Sequence, residues 1–221
     1  MHCIVPCFIY ICFDFNLTTI MNIKMLLYTG IIIPIAFWIS TLLCGFIHGN
    51  YNHLSDTISE LGATGTRSEP LMATLTMFSA ILSMFFIMGV YGACKQLGLN
   101  LLPVFTLPAF TFMMGWAAMY HAGNHLHSAS GPVFLLFYVG TMLVVILWRG
   151  RRELVSVRLT SVISLVLMLL IFLRFVPAFQ NTYPGLIQRF VHLGWSVWFI
   201  GLSIGLIRLV SLQENQQLLN H

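Results

Sequence analysis

Long apolar stretches recur along the chain and are separated by short polar connections. Six of them approach the length of a membrane-spanning helix: residues 27–47, 71–91, 101–120, 132–148, 159–177 and 187–209. A spanning helix needs about 20 mostly apolar residues, because backbone amides and carbonyls find no water inside the hydrocarbon. The pattern therefore predicts an all-α, polytopic integral membrane bundle of six transmembrane helices.

The composition agrees with this interpretation. Apolar residues make up 58% of the 221 residues and charged residues only 7%, and the mean hydropathy is +0.90. Soluble domains carry roughly a quarter charged residues. The composition therefore excludes an ordinary soluble domain.

Basic residues are distributed unevenly between the two ends of the predicted spans. One side holds Lys24, Lys95, Arg149, Arg151, Arg152, Arg158 and Arg208, and the other holds Arg67 and Arg189. Lysine and arginine accumulate in cytoplasmic loops, so we expect an inner (plasma) membrane protein with both termini in the cytoplasm. This asymmetry accounts for the net charge of +4. We therefore expect membrane lipid as a partner and no nucleic acid, and the sequence indicates no protein partner.

The pattern divides the chain into three segments. Residues 1–24 contain an apolar run too short to span a membrane and lack the features of a secretory signal. We interpret them as a non-native or disordered extension, with Met21 or Met25 as a sensible start. Residues 25–212 hold the six-helix transmembrane domain. Residues 213–221 form a polar cytoplasmic tail, which we expect to be frayed.

The loop between the first two spans has the most regular polar pattern. Read as a helix, it has a polar face of His53, Asp56, Thr57 and Glu60 and an apolar face of Leu54, Ile58 and Leu61. Thr57 and Glu60 have the spacing of a capping box, and Gly62 supplies a stop. We therefore predict a short amphipathic interfacial helix in this outer loop, with its apolar face on the bundle.

Two arginines at the outer ends of the last spans are expected to meet this loop. Arg174 lies near the end of span five and Arg189 near the start of span six. A basic group near hydrocarbon is costly without a partner, so we predict an ion pair with Asp56 or Glu60. The candidate polar cluster consists of His53, Ser55, Asp56, Ser59, Glu60, Arg174 and Arg189.

Six histidines are predicted at this same membrane face: His48, His53, His121, His125, His127 and His192. We expect His53, His121, His125 and His192 to converge. His121 and His125 are four residues apart, a spacing at which two imidazoles can share a metal ion. The candidate metal ligands are therefore His121, His125 and His192, with zinc as the first choice. Haem ranks lower, with His121 and His192 as its ligand pair.

The segment NHLSDTISELGA, residues 52–63, resembles the first outer loop of a large, mostly prokaryotic family catalogued as domain of unknown function 998. Further similarities are the six spans, Leu126-His127 before span four, and Gly185 with Gln188-Arg189 before span six. The resemblance extends from residue 25 to about residue 210. It implies the six-helix fold and a membrane location, and no activity. Gln188 stands where a glutamate is expected.

Three functional classes remain open. We favour a non-catalytic protein for binding, transport or scaffolding, whose outward-facing histidine-rich cluster serves as a hydrogen-bonded lid. The first alternative is a metal-dependent membrane-embedded hydrolase, in which a metal-activated water attacks a lipid or amide bond and a carboxylate acts as base. The second alternative is a b-haem electron carrier, for which the inner side offers no second histidine pair. The sequence leaves open whether the protein is an enzyme.

Overall fold

The computed structural model describes residues 22–219. Over this range the chain forms seven α-helices joined by turns and short 3₁₀ helices, without a β-strand. The α-helices are α1 (Ile23–His48), α2 (Glu69–Leu97), α3 (Pro108–Met119), α4 (Leu135–Leu147), α5 (Val155–Leu169), α6 (Pro177–Thr182) and α7 (Pro184–Leu219). Most of the predicted N-terminal extension, residues 1–21, lies outside the described range.

Within residues 22–219, six helical segments are long and apolar enough to cross a membrane. They are Ile23–His48, Glu69–Leu97, Leu102–Met119, His127–Leu147, Arg152–Phe175 and Pro184–Leu219. Each overlaps one predicted span, so the predicted all-α polytopic fold is confirmed. The third, fourth and fifth segments join an α-helix to 3₁₀ helices, namely Leu102–Thr106, His127–Phe134, Arg152–Leu154 and Leu170–Phe175.

The last helix, α7, packs against α1, α2 and α5 and forms the centre of the bundle. Its rings Trp195 and Phe199 are almost completely buried, as are Phe110 of α3 and Phe137 of α4. The ring centroid of Phe110 lies 4.7 Å from that of Trp195 and 4.8 Å from that of Phe199. Large rings dominate the packing of a core, and here they bring α3 and α4 onto the middle of α7.

Glycines allow α7 to approach α5 closely. A Cβ atom added at Gly201 would clash with the side chain of Thr160, and one added at Gly205 would clash with Val157. Small residues at such a crossing let two membrane helices pack backbone to backbone. The face of α7 that carries these glycines therefore packs against α5.

The loop between α1 and α2, residues 49–68, is called the first loop here. It does not form the predicted amphipathic helix: turns lead into a 3₁₀ helix, Ile58–Gly62. Ile58 and Leu61 are buried as expected, whereas Leu54 is 51% exposed because no helix extends back to it. Thr57 and Glu60 form the predicted capping contacts. The Glu60 carboxylate accepts from the backbone N–H of Thr57 at 3.3 Å and from the hydroxyl of Thr57 at 3.0 Å.

The described part of the predicted frayed tail, residues 213–219, is helical. Helix α7 continues to Leu219. The Glu214 carboxylate lies 2.6 Å from Nζ of Lys24, so the end of α7 is paired with the start of α1. This contact gives the polar segment after residue 212 a partner on the bundle.

Candidate functional site

Arg189 connects the first loop to α7. Its Nη1 donates to the backbone carbonyls of Asp56 at 3.0 Å and of Gly185 at 2.9 Å. Its Nη2 donates to Oη of Tyr51 at 2.8 Å and lies 2.9 Å from Nδ1 of His53. A guanidinium has five N–H donors in one plane. This geometry lets one side chain hold the turn at residues 51–56 against the start of the last span.

Tyr51 extends this contact along the loop. Its hydroxyl lies 3.1 Å from the carbonyl oxygen of Asp56 and 2.9 Å from that of Thr57. Burial raises the pKa of Tyr51, while the hydrogen bond and the positive charge of Arg189 act in the opposite direction. The phenol thus stays protonated and donates to the loop while it accepts from the guanidinium.

His53 is neutral in this arrangement. An arginine can only donate, so Nδ1 of His53 must accept from Arg189 and the ring proton lies on Nε2. Burial lowers the pKa of His53 and the Arg189 charge lowers it further, whereas the Asp56 carboxylate raises it. The contact therefore depends on an uncharged imidazole.

The Asp56 carboxylate is satisfied within its own turn. It accepts from the backbone N–H of Asn52 at 2.7 Å and from the hydroxyl of Ser55 at 2.8 Å. These two hydrogen bonds, the backbone one first, lower the pKa of Asp56.

The predicted ion pair between a first-loop carboxylate and an arginine is therefore wrong. Arg189 reaches the backbone of Asp56 and not its carboxylate, and Glu60 is used for capping. Arg174 forms no ion pair with any residue in the range 22–219. Hydrogen bonds within the loop satisfy both carboxylates, so neither needs a distant cation as a partner.

Gln188 provides a second connection from α7 to the first loop. Its Oε1 accepts from the backbone N–H of Ile58 at 2.6 Å, and its Nε2 donates to Oγ of Ser59 at 3.0 Å. One amide can accept and donate at once, whereas an ionised glutamate has no N–H to donate. The glutamine at this position thus fits the contacts that this chain makes.

The candidate metal ligands are not brought together. Both ring nitrogens of His121 face protein acceptors: Nδ1 lies 2.6 Å from the Glu69 carboxylate and Nε2 lies 2.9 Å from the Ala118 carbonyl. His125 is exposed, and His192 interacts with other partners. Across residues 22–219, no three His, Cys, Asp or Glu side chains form a group that could hold a metal ion. The predicted convergence of His53, His121, His125 and His192 into such a group does not occur.

His192 belongs instead to a cavity between the helices. The cavity has a volume of about 460 Å³ and is bounded by α1, α2, α3, α7, the 3₁₀ helix of the first loop and the segments around residues 127–137 and 171–174. Its apolar lining includes Phe37, Phe110, Phe137, Met114 and Trp195. Its polar lining includes Ser59, Thr76, His127, Arg174, Gln188 and His192. The cavity is thus amphipathic.

The polar lining groups offer unused hydrogen-bond donors. The indole N–H of Trp195 donates to Nδ1 of His192 at 2.9 Å, so the His192 proton lies on Nε2, which has no acceptor in the described range. The hydroxyl of Ser59 accepts from Gln188 and keeps its own hydrogen available. Arg174 has one described interaction, a cation–π contact with Phe175 at 6.0 Å from the ring centroid.

Thr76 and Ser130 are cavity residues that sequence reasoning missed. Both are at least nine-tenths buried and line the cavity. Neither hydroxyl is hydrogen-bonded within residues 22–219, although hydroxyls in helices usually bond to the preceding turn. No sequence signal separates these two from the other serines and threonines of the spans. Tyr51 was missed as well, because its contact with Arg189 joins the first loop to the distant helix α7.

The comparisons with known proteins gave one match. The family model described as Protein of unknown function (DUF998) matches residues 31–205, well over half of the chain. The matched range begins in α1 and ends in α7, so it includes the first loop and the cavity. No curated protein and no solved structure matches the chain.

Proposed function

We propose that this chain, which belongs to the DUF998 family of proteins of unknown function, is a non-catalytic membrane protein that binds an amphiphilic membrane ligand in its cavity. The observation that carries the proposal is the mixed polarity of that cavity. Its lining combines aromatic rings of α1, α3 and α7 with polar side chains from the first loop, α7 and residue 174.

The size of the cavity supports ligand binding. Small-molecule sites have volumes of roughly 300 to 1,000 Å³ and combine an apolar lining with a few polar groups that orient the ligand. The cavity, at about 460 Å³, is within this range. The hydroxyls of Thr76 and Ser130 line the cavity and have no hydrogen-bond partner within residues 22–219, so they are available to an occupant.

The alternatives have less support from the side chains. The hydrolase hypothesis needs metal ligands and a carboxylate base at one place. No aspartate or glutamate of the described range lines the cavity, and the nearby carboxylates of Asp56 and Glu60 are engaged in the first loop. The b-haem hypothesis needs a free nitrogen on His121, and both of its ring nitrogens face protein acceptors.

We propose the plasma membrane as its location, with both termini in the cytoplasm and the first loop outside. Lys24 and Glu214 pair at one end of the bundle. At the same end, Nη2 of Arg151 donates to the carbonyl of Leu97, the last residue of α2. The basic residues near these positions support a cytoplasmic orientation for that end.

Blocking the cavity tests the binding proposal. Ala117 lines the cavity, so Ala117→Phe would fill part of it. Met119 lies two positions later on α3 and is 60% exposed, so Met119→Phe is a matched control. Native mass spectrometry of protein extracted in mild detergent should show a bound lipid-sized mass on the wild type and on Met119→Phe, reduced several-fold on Ala117→Phe.

Two outcomes would contradict the proposal. Wild-type protein without any bound mass would indicate that the cavity does not retain a membrane ligand. Equal occupancy in both phenylalanine variants, with the thermal stability of both unchanged, would place the ligand elsewhere on the protein.

A further inference from the structure

We infer that the ligand of this cavity carries an anionic, acceptor-rich head group of the phosphate or carboxylate class, and that Arg174 selects for it. The inference rests on the proposed binding function and deepens it. Three observations support it: the charge of the lining, the hydrogen-bond donors that the lining leaves unpaired, and the absence of a hydrogen-bond partner for Arg174 within residues 22–219.

Among the residues described, the lining carries a positive charge without a negative one. Arg174 is its sole formally charged side chain in the described range, since no aspartate, glutamate, lysine or second arginine lines the cavity. Arg174 is exposed, so water screens part of its charge, but a single uncompensated cation still favours an anion over a cationic head group.

Arg174 is also unused by the protein. Arg189 uses its guanidinium on four acceptors of the loop and α7. Arg174 donates no hydrogen bond within residues 22–219, and its one polar interaction there is the cation–π contact with Phe175. A guanidinium binds a phosphate or carboxylate through two parallel N–H donors, and no described residue occupies those of Arg174, which lines the cavity.

The neutral groups of the lining favour the same chemistry. Nε2 of His192 and the hydroxyl of Ser59 have hydrogens to donate, and the hydroxyls of Thr76 and Ser130 are unpaired in the described range. A phosphate or carboxylate oxygen accepts hydrogen bonds and donates none when ionised. His127 is the exception: its Nδ1 lies 2.6 Å from the Tyr120 carbonyl and donates to it, which makes its Nε2 an acceptor.

Such an anion has two sources, a lipid head group or a free anion from solution. The aromatic lining residues Phe37, Phe110 and Trp195 suit an acyl or isoprenoid chain attached to the head group. A free anion would use the polar lining residues alone. The experiment below has one arm for each source.

The test compares two brominated lipids that differ only in the phosphate. Brominated phosphatidic acid and brominated diacylglycerol with the same chains are titrated into the protein in uncharged maltoside micelles. The chain has five tryptophans, of which Trp195 lines the cavity, so the part of the fluorescence quenching that Ala117→Phe removes reports binding in the cavity. Quenching that remains in Ala117→Phe is subtracted as background. We expect the wild type to bind phosphatidic acid about tenfold more tightly than diacylglycerol.

Three arginine variants identify the selecting residue. Arg174→Gln should remove the preference for phosphatidic acid, and Arg174→Lys should keep most of it by keeping the charge. Arg67→Gln is the matched control, because Arg67 is an exposed cation in the first loop that does not line the cavity, and it should behave as the wild type.

The outcomes separate this inference from the proposed function. Equal binding of the two lipids, blocked by Ala117→Phe, would overturn the anionic head group and leave the amphiphile site in place. Absence of cavity quenching by either lipid would overturn both. Competition by inorganic phosphate at concentrations near those of the lipid would support a free anion as the source, and the lack of such competition, with the lipid preference intact, would support a lipid head group.

Discussion

Nη2 of Arg189 lies 2.9 Å from Nδ1 of His53, and this contact requires the imidazole to be neutral. The guanidinium also holds the backbone of Asp56, so the connection between the first loop and α7 includes an imidazole whose pKa is held below its ordinary value. Stability of the loop is therefore linked to pH through His53.

We predict that acid weakens this connection. Burial and Arg189 lower the folded-state pKa of His53 below the ordinary value, so the unfolded chain binds the proton first as pH falls. The contribution of His53 is present above about pH 6.5 and is lost as pH falls through the folded-state pKa. The melting temperature of the purified protein should therefore fall more steeply with acid in the wild type than in His53→Asn.

The asparagine variant is chosen because its side-chain oxygen can take the place of Nδ1 and does not titrate. A matched control is His125→Asn, which changes an exposed histidine. Identical pH profiles for the wild type and His53→Asn would contradict the assignment of His53 as the titrating group.

We predict that Gln188→Ala destabilises the protein. The change removes the acceptor of the Ile58 backbone N–H, and a buried group left unpaired costs about 1 to 3 kcal/mol. The free energy of unfolding, measured by denaturant titration in mixed micelles, should fall by about this amount. Gln188→Glu is the matched variant: it keeps an acceptor for Ile58, and the hydroxyl of Ser59 can donate to its carboxylate, so it should retain most of the stability. An equal loss in both variants would indicate a packing defect instead of a lost hydrogen bond.

Gly201→Val should also destabilise the bundle, for a steric reason. A Cβ at this position would already clash with Thr160 of α5, and overpacking costs about 1 to 3 kcal/mol. Gly115 in α3 has open space around its added Cβ, so Gly115→Ala is the matched control and should be tolerated. A Gly201→Val protein as stable as the control would mean that α5 and α7 separate more easily than their packing indicates.

The proposed orientation predicts the side on which reporters appear. Reporter fusions placed after Lys95, after Arg152 and at the C-terminus should all report a cytoplasmic location, because positively charged loops remain inside. A fusion in the first loop, after Gly65, should report the opposite side. A non-cytoplasmic signal from any of the first three fusions would reverse the orientation of the bundle.

The sequence was sufficient for the spans and for contacts between near neighbours in the chain. Hydropathy predicts spans well, since hydrocarbon accepts only helices with satisfied backbones. The capping contact of Thr57 with Glu60 was predictable because its partners are three residues apart. The ion pair failed because Asp56 found local donors in Asn52 and Ser55.

The sequence pattern could not predict the cavity. Its lining comes from helices far apart in the chain, and its polar members look like ordinary span residues. Thr76 could have bonded to its preceding turn, as Ser79 does to the Leu75 carbonyl at 2.9 Å. Tertiary packing decides which hydroxyls remain free, and a periodic pattern does not encode that choice.

The contacts of Arg189 and Gln188 also set an order for biosynthesis. Both residues begin the last span, yet they hold the backbone of a loop between the first two spans. During synthesis and insertion, residues 51–58 therefore cannot form these contacts until the last helix has been made. Trp195 and His192 arrive on the same helix. The cavity is completed only when the sixth span has joined the bundle, so a partially made chain lacks one wall of the cavity.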